Sequence, residues 1–333
     1  MNFWYSVTIL GDFKLWLLFA FISLFFYKKN KIAKKYLKIV FPSIIIAVIF
    51  SMILKDTFMI PRPCVNEPWC PSTYSFPSGH STLISAAFLS TLFAFRKKWL
   101  SLLMFVIAVM VMVSRVEIGV HTINDIIFGS MLGLSSALLI RIVSTKKQTI
   151  DFRWFLRKLI HFSTLIFVVI RLYDENVFLI LTILAIVIYT ILEYLRAYKK
   201  KSLFLYGKIV EICRKPHEIG FIVSPLLIPL ALFISNFFGL KPFLVAGLAL
   251  TVGDSLAGLI GKEFGRIRIG NGKSIEGSIM LLTSVFYVYS LLFGVKEAFV
   301  FSLIAMVVEV LIRDYDNLAM PIVLAIITKI MGN

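Results

Sequence analysis

The sequence predicts an all-α polytopic membrane protein, with about twelve transmembrane helices arranged in two helical-bundle domains. Of its 333 residues, 59% are hydrophobic and only 16% are charged, and the mean hydropathy is +0.91. Soluble domains carry roughly 25% charged residues and disordered chains have low hydrophobicity, so both classes are excluded. The apolar residues also form runs close to membrane-crossing length, such as 99–113 and 177–192.

Clusters of charged residues divide the chain into about a dozen apolar segments, and we expect each segment to be a membrane-crossing helix. Several segments have fewer than about 17 residues and are shorter than the hydrocarbon core. We expect the Lys and Arg side chains that flank these segments to extend to the membrane–water interface. The expected crossings are 13–27, 39–54, 81–95, 99–114, 122–143, 158–171, 177–195, 217–239, 241–260, 277–294, 297–312 and 317–331.

The basic residues predict the orientation of these crossings. When the connections are assigned alternately to two sides, 27 of the 35 Lys and Arg residues fall on one side. Cytoplasmic loops are rich in Lys and Arg, so that side is expected to be cytoplasmic, with both termini outside the cell membrane. This topology also explains the net charge of +17, and nucleic acid is therefore not an expected partner.

The most polar long connection in the middle of the chain is 144–156. It predicts a domain boundary near residue 150, which separates a domain 1–150 from a domain 151–333. No internal repeat relates the two parts, and the sequence does not indicate an oligomeric state.

In the first domain, polar residues gather where the apolar segments meet the outer side. Ionisable residues are costly in a membrane protein and are retained for function. Lys55 and Arg62 are seven residues apart and on a helix would share a face pointing at one anion, with Arg115 as a third cation. Pro77 in a first helical turn would place the amides of residues 78–80 at a helix N-terminus, which favours anion binding.

A histidine and a carboxylate with helical spacing complete this group. Asp125 lies four residues after His121, so it can hold the imidazole while the distal nitrogen attacks phosphorus. His80 is then left to protonate the leaving oxygen. Because three cations and a helix end already compensate the oxyanions, we expect this half to need no metal or cofactor. The alternative is that these charges only anchor helices at the interface.

The pattern K-x6-RP, PSGH and SR-x5-H-x3-D over residues 55–125 resembles the type 2 phosphatidic acid phosphatase superfamily. The resemblance implies that His121 is a phosphohistidine nucleophile, that His80 is the general acid and that Asp125 orients His121. It also implies a set of phosphate-binding residues: Lys55, Arg62, Ser78, Gly79 and Arg115.

The proline-rich loop 61–77 contains Cys64 and Cys70. A location outside the cell would permit a disulfide between them. Two free thiols in a rigid loop are the alternative, because spacing alone does not decide connectivity.

The second domain has its unusual residues near 253–278, on the side expected to be cytoplasmic. Asp254 lies at or near the end of an apolar segment and needs a partner or a metal ion there. The glycines around it are typical of close helix packing. The Gly-Lys-Ser triplet at 272–274 is not a P-loop, because Ile267 stands where the earlier glycine is required.

Carboxylates, a lysine and a glycine-rich turn together favour Mg²⁺–nucleotide binding. A carboxylate or His161 could deprotonate an alcohol, and the sequence does not choose between them. The other acidic candidates on this side are Glu193, Glu218, Asp314 and Asp316.

The pattern over residues 155–325 resembles the family of CTP-dependent lipid kinases that includes dolichol kinase, phytol kinase and a diacylglycerol kinase. The segments that carry the resemblance are Arg157-Lys158-x2-His161, Glu193, GD-x2-A-x3-G-x3-G from 253, KS-x-EG from 273, and Glu309 with DN-x3-P from 316. The resemblance implies phosphoryl transfer from CTP, with Mg²⁺, to an isoprenoid or glyceride alcohol. The implied nucleotide-binding residues are Asp254, Gly261, Lys273, Ser274, Glu276, Asp316 and Asn317, with Asp254 and Asp316 also holding the metal.

Together the two resemblances imply a bifunctional enzyme. It would dephosphorylate a polyprenyl (dolichyl-type) diphosphate outside and phosphorylate the polyprenol inside, and both reactions would give polyprenyl phosphate. Two alternatives stay open. One is a phosphatidate or ether-lipid phosphatase coupled to a diacylglycerol-type kinase, and the other is a lipid transporter or scramblase whose charges line a path.

Overall fold

The fold of this chain was derived from a computed structural model, which describes residues 3–144, 151–200, 204–213, 220–269, 272–312 and 316–332. The chain divides into two compact units, Met1–Lys146 and Lys147–Asn333. The boundary expected near residue 150 falls in 145–150, outside the described residues. The described part of both units is helical, and its one extended pairing is a bridge between Arg268 and Ser274.

The described residues of the first unit form seven α-helices, with short irregular helical turns between some of them. A 3-10 turn, Ile9–Gly11, follows α1, and a π-helical segment, Tyr36–Val40, joins α3 to α4. The helices are α1 Phe3–Thr8, α2 Phe13–Phe25, α3 Lys31–Lys35, α4 Phe41–Phe58, α5 Gly79–Phe95, α6 Lys98–Glu117 and α7 Ile123–Val143.

The second unit consists of ten α-helices within its described residues. A π-helical segment, Ala249–Asp254, joins α13 to α14. The helices are α8 Phe152–Ser163, α9 Leu165–Tyr173, α10 Glu175–Lys199, α11 Phe204–Cys213, α12 Ser224–Asn236, α13 Leu240–Leu248, α14 Ser255–Glu263, α15 Ile275–Phe293, α16 Val295–Leu311 and α17 Asp316–Met331.

The chain is a multi-pass membrane protein, although the described helices do not establish twelve crossings. Six helical stretches are long and apolar enough to cross a bilayer, and a bent pair formed by Phe3–Gly11 and Phe13–Phe25 would make a seventh. Several expected crossings are short or broken: α5 and α12 have fewer than 18 residues, and segment 158–171 is interrupted at Thr164. The six stretches are Lys31–Phe58, Lys98–Glu117, Ile123–Val143, Glu175–Lys199, Leu240–Glu263 and Ile275–Phe293.

In the first unit, the crossing of α5 and α7 brings two distant parts of the sequence together. Gly133 lies so close to α5 that a Cβ there would be 2.2 Å from the carbonyl oxygen of Thr82. At Gly129 the same hypothetical atom would be 2.7 Å from the carbonyl oxygen of Ser78. Small residues allow such close backbone approach in membrane bundles. The start of α5 is thereby held beside the start of α7.

In the second unit, the stretch from α13 to α14 is mostly buried and carries Asp254. Glycines again set the packing distance, because a Cβ at Gly277 would be 2.9 Å from the carbonyl oxygen of Ala257 and 3.1 Å from the Cα of Gly261. The predicted role of these glycines in close helix packing is confirmed. A π-helical segment beside a buried carboxylate is an arrangement often found at functional sites.

Candidate active sites

His121 and Asp125 lie at the start of α7, where a capping box fixes the backbone. The Thr122 hydroxyl accepts a hydrogen bond from the Asp125 amide at 3.3 Å, and the Asp125 carboxylate accepts one from the Thr122 amide at 2.8 Å. Such reciprocal bonds satisfy two amides that the first turn leaves unpaired. Asp125 Oδ2 lies 3.6 Å from His121 Nδ1, which is too long for a direct hydrogen bond.

Ser75 closes the gap between the imidazole and the carboxylate. Its hydroxyl donates to Asp125 Oδ2 at 2.5 Å and lies 3.3 Å from His121 Nδ1, and its side chain is buried. Sequence reasoning missed this residue, because a serine in a loop that also contains five prolines gives no signal of its own. The pairing expected between His121 and Asp125 is therefore mediated by a third residue.

The contacts of Arg62 determine the protonation of His121. Arg62 Nη1 lies 3.1 Å from His121 Nε2, and a guanidinium is a donor only. In the neutral ring Nε2 must therefore carry the lone pair and Nδ1 the proton, an assignment made from the hydrogen-bond network. The proton then faces Ser75 and Asp125, and the lone pair faces the cationic group.

The predicted shared helical face of Lys55 and Arg62 is wrong, although the two cations do meet at one site. Helix α4 ends at Phe58, and Met59 adopts a left-handed conformation. Pro61 and Pro63 flank the region, and a residue before proline is biased away from the helical conformation. Arg62 instead approaches from the loop.

Both side chains also hold the loop 61–77 in place. Arg62 donates from Nε to the carbonyl oxygen of Thr73 at 2.7 Å and from Nη1 to that of Val120 at 3.1 Å. Lys55 Nζ donates to the carbonyl oxygens of Tyr74 and Ser75. Within this loop, Cys64 and Cys70 form a disulfide, the first of the two alternatives.

The start of α5 presents a helix N-terminus to the same region, with one difference from expectation. Ser78, rather than Pro77, occupies the N-cap position, so Pro77 lies before the first turn instead of inside it. The Ser78 amide donates to the carbonyl oxygen of Asp125 at 3.0 Å, which ties α5 to α7. The amides of Gly79 and His80 lie in the first turn, where anions bind.

Arg115 and His80 complete the cationic group of the first unit. Burial lowers the pKa of His80 to about 3, and the nearby Arg115, Arg62 and Lys55 lower it further, so this imidazole is neutral in the free protein and needs the charge of a bound anion to take up a proton. Arg115 donates from Nη1 to the Thr8 hydroxyl at 2.7 Å, while its buried Nε has no partner among the described residues. Lys55, Arg62, His80, Arg115, His121 and Asp125 thus lie in one group, to which Ser75, Thr73 and Thr8 are added, whereas the Ser78 amide is bonded to the Asp125 carbonyl. The phosphate-binding roles of the predicted residues stay a prediction.

The environment of His121 favours its neutral form. Burial lowers the pKa of the imidazole to about 4, and the positive charge of Arg62 also lowers it, while the contact with Asp125 opposes the shift. A neutral imidazole is the form that can act as a nucleophile.

The second unit contains a cavity of about 280 Å³ whose walls include Asp254. Asp254 Oδ2 accepts a hydrogen bond from Lys158 Nζ at 2.6 Å and lies 3.2 Å from His161 Nδ1. Across the cavity, Lys273 Nζ is 2.7 Å from Glu309 Oε1. The lining residues are Trp154, Lys158, Asp254, Ala257, Gly258, Gly261, Lys262, Arg268, Gly272, Lys273, Ser274, Gly277, Ser278, Glu309 and Asp316.

The cavity collects more positive charge than the sequence prediction assigned to it. Lys158, Lys262 and Arg268 join Lys273 on its walls, although none of the three was among the predicted nucleotide-binding residues. The pair Arg157-Lys158 was visible in the sequence only as part of a family resemblance. Its position beside Asp254 depends on the packing of α8 against α14.

Two predicted nucleotide-binding residues do not line this cavity. The Glu276 carboxylate accepts hydrogen bonds from the amides of Arg266 and Ile267 at 3.1 and 3.2 Å, so it fixes the turn that precedes α15. Ser274 lines the cavity and also caps α15, because its hydroxyl accepts from the Gly277 amide. Asn317 lies in the first turn of α17, outside the lining.

The remaining acidic candidates fall elsewhere or outside the described residues. Glu193 is paired with Arg196 and also accepts from Tyr206 and from the Ile222 amide, which makes it a buried structural link. Glu218 and Asp314 lie outside the described residues.

Two carboxylates on the cavity wall are paired with cations, Asp254 with Lys158 and Glu309 with Lys273. The described residues contain no group of three or more His, Cys, Asp or Glu side chains able to hold a metal alone. Mg²⁺ is usually bound by one or two carboxylates together with phosphates and waters. Asp254, Glu309 and Asp316 on the cavity wall supply carboxylates of this kind.

Comparisons with known proteins concern the first unit. An undecaprenyl-diphosphatase from Sulfolobus acidocaldarius is 36% identical over 97 residues, which are 27% of this chain and 47% of that protein. Phosphatidylglycerophosphatase B from Bacillus subtilis is 33% identical over 104 residues, 28% of this chain and 50% of that protein. The chain therefore spans about half the length of the curated relatives it matches.

A solved structure, that of a transmembrane PAP2 type phosphatidylglycerolphosphate phosphatase from Bacillus subtilis, is similar at 26% identity with a TM-score of 0.35. The match covers 42% of this chain and 74% of that one. Residues 35–149 match the model of the PAP2 superfamily, and the N-terminal region of this chain accordingly has a PAP2 superfamily domain.

Proposed function

We propose that the first unit is a membrane lipid phosphatase that uses His121 as a covalent nucleophile. The observation that carries the proposal is the placement of the His121 Nε2 lone pair against Arg62, with Nδ1 facing Ser75 and Asp125. The sequence motifs and the PAP2 superfamily match support the same chemistry.

In the first step, Arg62 shifts its donor from His121 Nε2 to a phosphate oxygen, and Nε2 forms a bond to phosphorus. The bond from that phosphorus to the leaving oxygen breaks; this is the bridging oxygen of a diphosphate or the ester oxygen of a monophosphate. His80, protonated once the anionic substrate lies beside it, gives its proton to that oxygen. In the second step, water attacks the phosphohistidine, its proton passes to His80 and the nitrogen–phosphorus bond breaks. The charge on the phosphoryl oxygens is stabilised by Lys55, Arg62 and Arg115 and by the amides at the start of α5.

For the substrate, we favour a polyprenyl (dolichyl-type) diphosphate, which would yield the monophosphate carrier. Phosphatidate or an ether-lipid phosphate is the alternative. The relative named undecaprenyl-diphosphatase supports the polyprenyl diphosphate. The relative named phosphatidylglycerophosphatase B supports a glycerolipid phosphate.

We further propose that the second unit transfers phosphate from CTP to a lipid alcohol. We favour a polyprenol as this alcohol, and a diacylglycerol-type alcohol is the alternative. The cavity around Asp254 supports this, because four cationic side chains and three carboxylates suit a nucleotide triphosphate with magnesium. Mg²⁺, when bound, neutralises charge on the phosphates. Lys158, Lys262, Arg268 and Lys273 would bind phosphate oxygens.

The charge distribution along the sequence motivates the sidedness of this proposal. The phosphatase site would face the outside and the nucleotide site the cytoplasm, where CTP is made. Polyprenyl phosphate would then be the product of both reactions, one acting in recycling and the other in salvage.

The test uses purified protein with radiolabelled polyprenyl diphosphate and polyprenol supplied separately, with and without CTP and Mg²⁺. We expect phosphate release from the first substrate without CTP, and phosphorylation of the second only with CTP. His121→Ala should abolish the hydrolysis and leave phosphorylation intact. If lipid flipping persisted in His121→Ala while wild-type protein converted neither substrate, a transporter would replace both proposals.

A further inference from the structure

The first unit contains a cavity that has His80 on its wall. It has a volume of about 220 Å³ and lies between the bend that follows α1, the end of α4 and the start of α5. Its lining residues are Gly11, Asp12, Phe13, Val48, Ser51, Met52, Lys55, Gly79, His80 and Leu83. None of residues 11–13, Val48, Ser51 or Met52 belongs to the motifs that predicted the catalytic group.

Ser51 stands out among the hydroxyls of α4. Its side chain is 2% exposed, and its Oγ has no hydrogen-bond partner among the described residues. By contrast, the hydroxyls of Ser43 and Thr57 donate to carbonyl oxygens four residues earlier in their own helix, at 2.7 and 2.8 Å. Serine and threonine in helices usually make this local bond. A buried hydroxyl without a partner, on a cavity wall, is a donor available to a ligand.

The lining of the cavity combines two kinds of side chain. Ser51, Lys55 and His80 contribute polar groups, and Phe13, Val48, Met52 and Leu83 contribute apolar ones. A ligand that suits this lining carries both oxygens and carbon atoms. This is the composition of the lipid part of a phosphate ester at the point where the chain is attached.

The position of the cavity assigns it to the leaving group. Gly11 packs so tightly against the general acid that a Cβ there would lie 3.1 Å from His80 Cδ2 and 2.7 Å from Val111 Cγ1. A group in the cavity is therefore beside the residue that protonates the leaving oxygen. His121 and Arg62, which would hold the transferred phosphoryl group, are not among the residues that line this cavity.

We propose that this cavity is the leaving-group subsite and that the Ser51 hydroxyl donates a hydrogen bond to the phosphate that stays on a lipid diphosphate. The inference rests on the proposed phosphatase function and narrows its substrate. A monoester leaving group offers one oxygen, which His80 protonates. A diphosphate leaving group offers further oxygens, and Ser51 on the cavity wall is a further donor to receive one of them, while Lys55 already serves the transferred phosphoryl group.

Asp12 is the one carboxylate on the cavity wall, and its charge opposes a second phosphate. Its Oδ1 accepts from the Lys14 amide at 2.9 Å, where it caps α2. Asp12→Asn retains an oxygen for this cap and removes the charge, so it should raise activity on the diphosphate more than on a monophosphate.

The experiment compares Ser51→Ala with wild-type protein on a prenyl diphosphate and on the matching prenyl monophosphate in detergent micelles. We expect the ratio of kcat/KM for diphosphate over monophosphate to fall about tenfold, as for loss of one hydrogen bond to a charged group. Ser51→Thr keeps the hydroxyl and should restore the ratio. Ser43→Ala removes a buried hydroxyl from the same helix and should leave the ratio unchanged.

The outcomes separate this inference from the one it rests on. If the wild-type protein hydrolyses neither lipid, the phosphatase proposal itself fails. If it hydrolyses both and Ser51→Ala leaves the ratio within about twofold of wild type, the phosphatase stands and the subsite is refuted. An equal loss on both substrates, not restored in Ser51→Thr, would also refute it, because Ser51 would then serve only the packing of α4.

Discussion

Ser75→Ala tests the arrangement around the nucleophile most directly. The Ser75 hydroxyl donates to Asp125 at 2.5 Å and contacts His121 Nδ1 at 3.3 Å, whereas the direct distance from His121 Nδ1 to Asp125 is 3.6 Å. Removing it leaves the imidazole without a good acceptor as phosphorus is attacked and the ring becomes cationic. A hydrogen bond involving a charged group contributes about 1.5–3 kcal/mol. We therefore expect kcat/KM to fall roughly tenfold to a hundredfold.

The assay measures initial rates of phosphate release from lipid substrate in detergent micelles, with thermal unfolding of each variant in parallel. Asp125 keeps its bond from the Thr122 amide, so the fold should survive. Ser90→Ala is the matched control, because that buried hydroxyl donates only within its own helix, to the carbonyl oxygens of Ala86 and Ala87. If Ser75→Ala retained activity within about twofold of Ser90→Ala, Ser75 would have no part in positioning the nucleophile.

Three further predictions concern pH, packing and the nucleotide cavity. Because burial lowers the pKa of His121 to about 4, the acid limb of kcat/KM should lie near pH 4, and a limb near 6.5 would contradict the assignment. In the unfolded chain His121 has its ordinary pKa near 6.5 and is protonated at a higher pH than in the folded protein. The free energy of unfolding should therefore fall as pH drops from about 6.5 toward 4. Gly133→Ala should lower the free energy of unfolding by about 1–3 kcal/mol, since its Cβ would meet the Thr82 carbonyl, and an unchanged melting temperature would count against the tight α5–α7 crossing. Lys273→Ala should weaken CTP binding about tenfold, measured by titration calorimetry, whereas Lys241→Ala, whose partner Glu297 is half exposed, should not; equal affinities in both variants would exclude Lys273 from the site.

The helical crossings show where local sequence patterns stop being sufficient. Hydropathy located nearly every apolar segment, but it treated each as one straight crossing. The structure interrupts the expected crossing 158–171 at Thr164. The hydropathy of an apolar run indicates only that its burial in the membrane is favourable. Whether the run forms one long helix or two short ones depends on its packing against neighbouring helices.

The phosphatase group shows a similar division. The motifs identified which side chains meet, while the expected local geometry was wrong for Lys55 with Arg62 and for Pro77. In the second unit, five predicted residues line one cavity, whereas the Glu276 carboxylate holds backbone amides; their role in nucleotide binding stays a prediction. The five are Asp254, Gly261, Lys273, Ser274 and Asp316. A carboxylate near a basic loop can either bind a ligand or accept hydrogen bonds from backbone amides, and sequence spacing does not distinguish these two roles.

By itself the sequence determined the membrane class and the helical content, because hydrophobicity is a property of single residues and short runs; the phosphate-binding roles of the motif residues stay a prediction. Only the tertiary structure decided which atoms come into contact. Ser75 meets Asp125 across 50 residues of sequence and Lys158 meets Asp254 across 96. Contacts at such separations depend on how whole helices pack, including the close approach of glycines to the backbone of a neighbouring helix. They cannot be predicted from a local sequence periodicity.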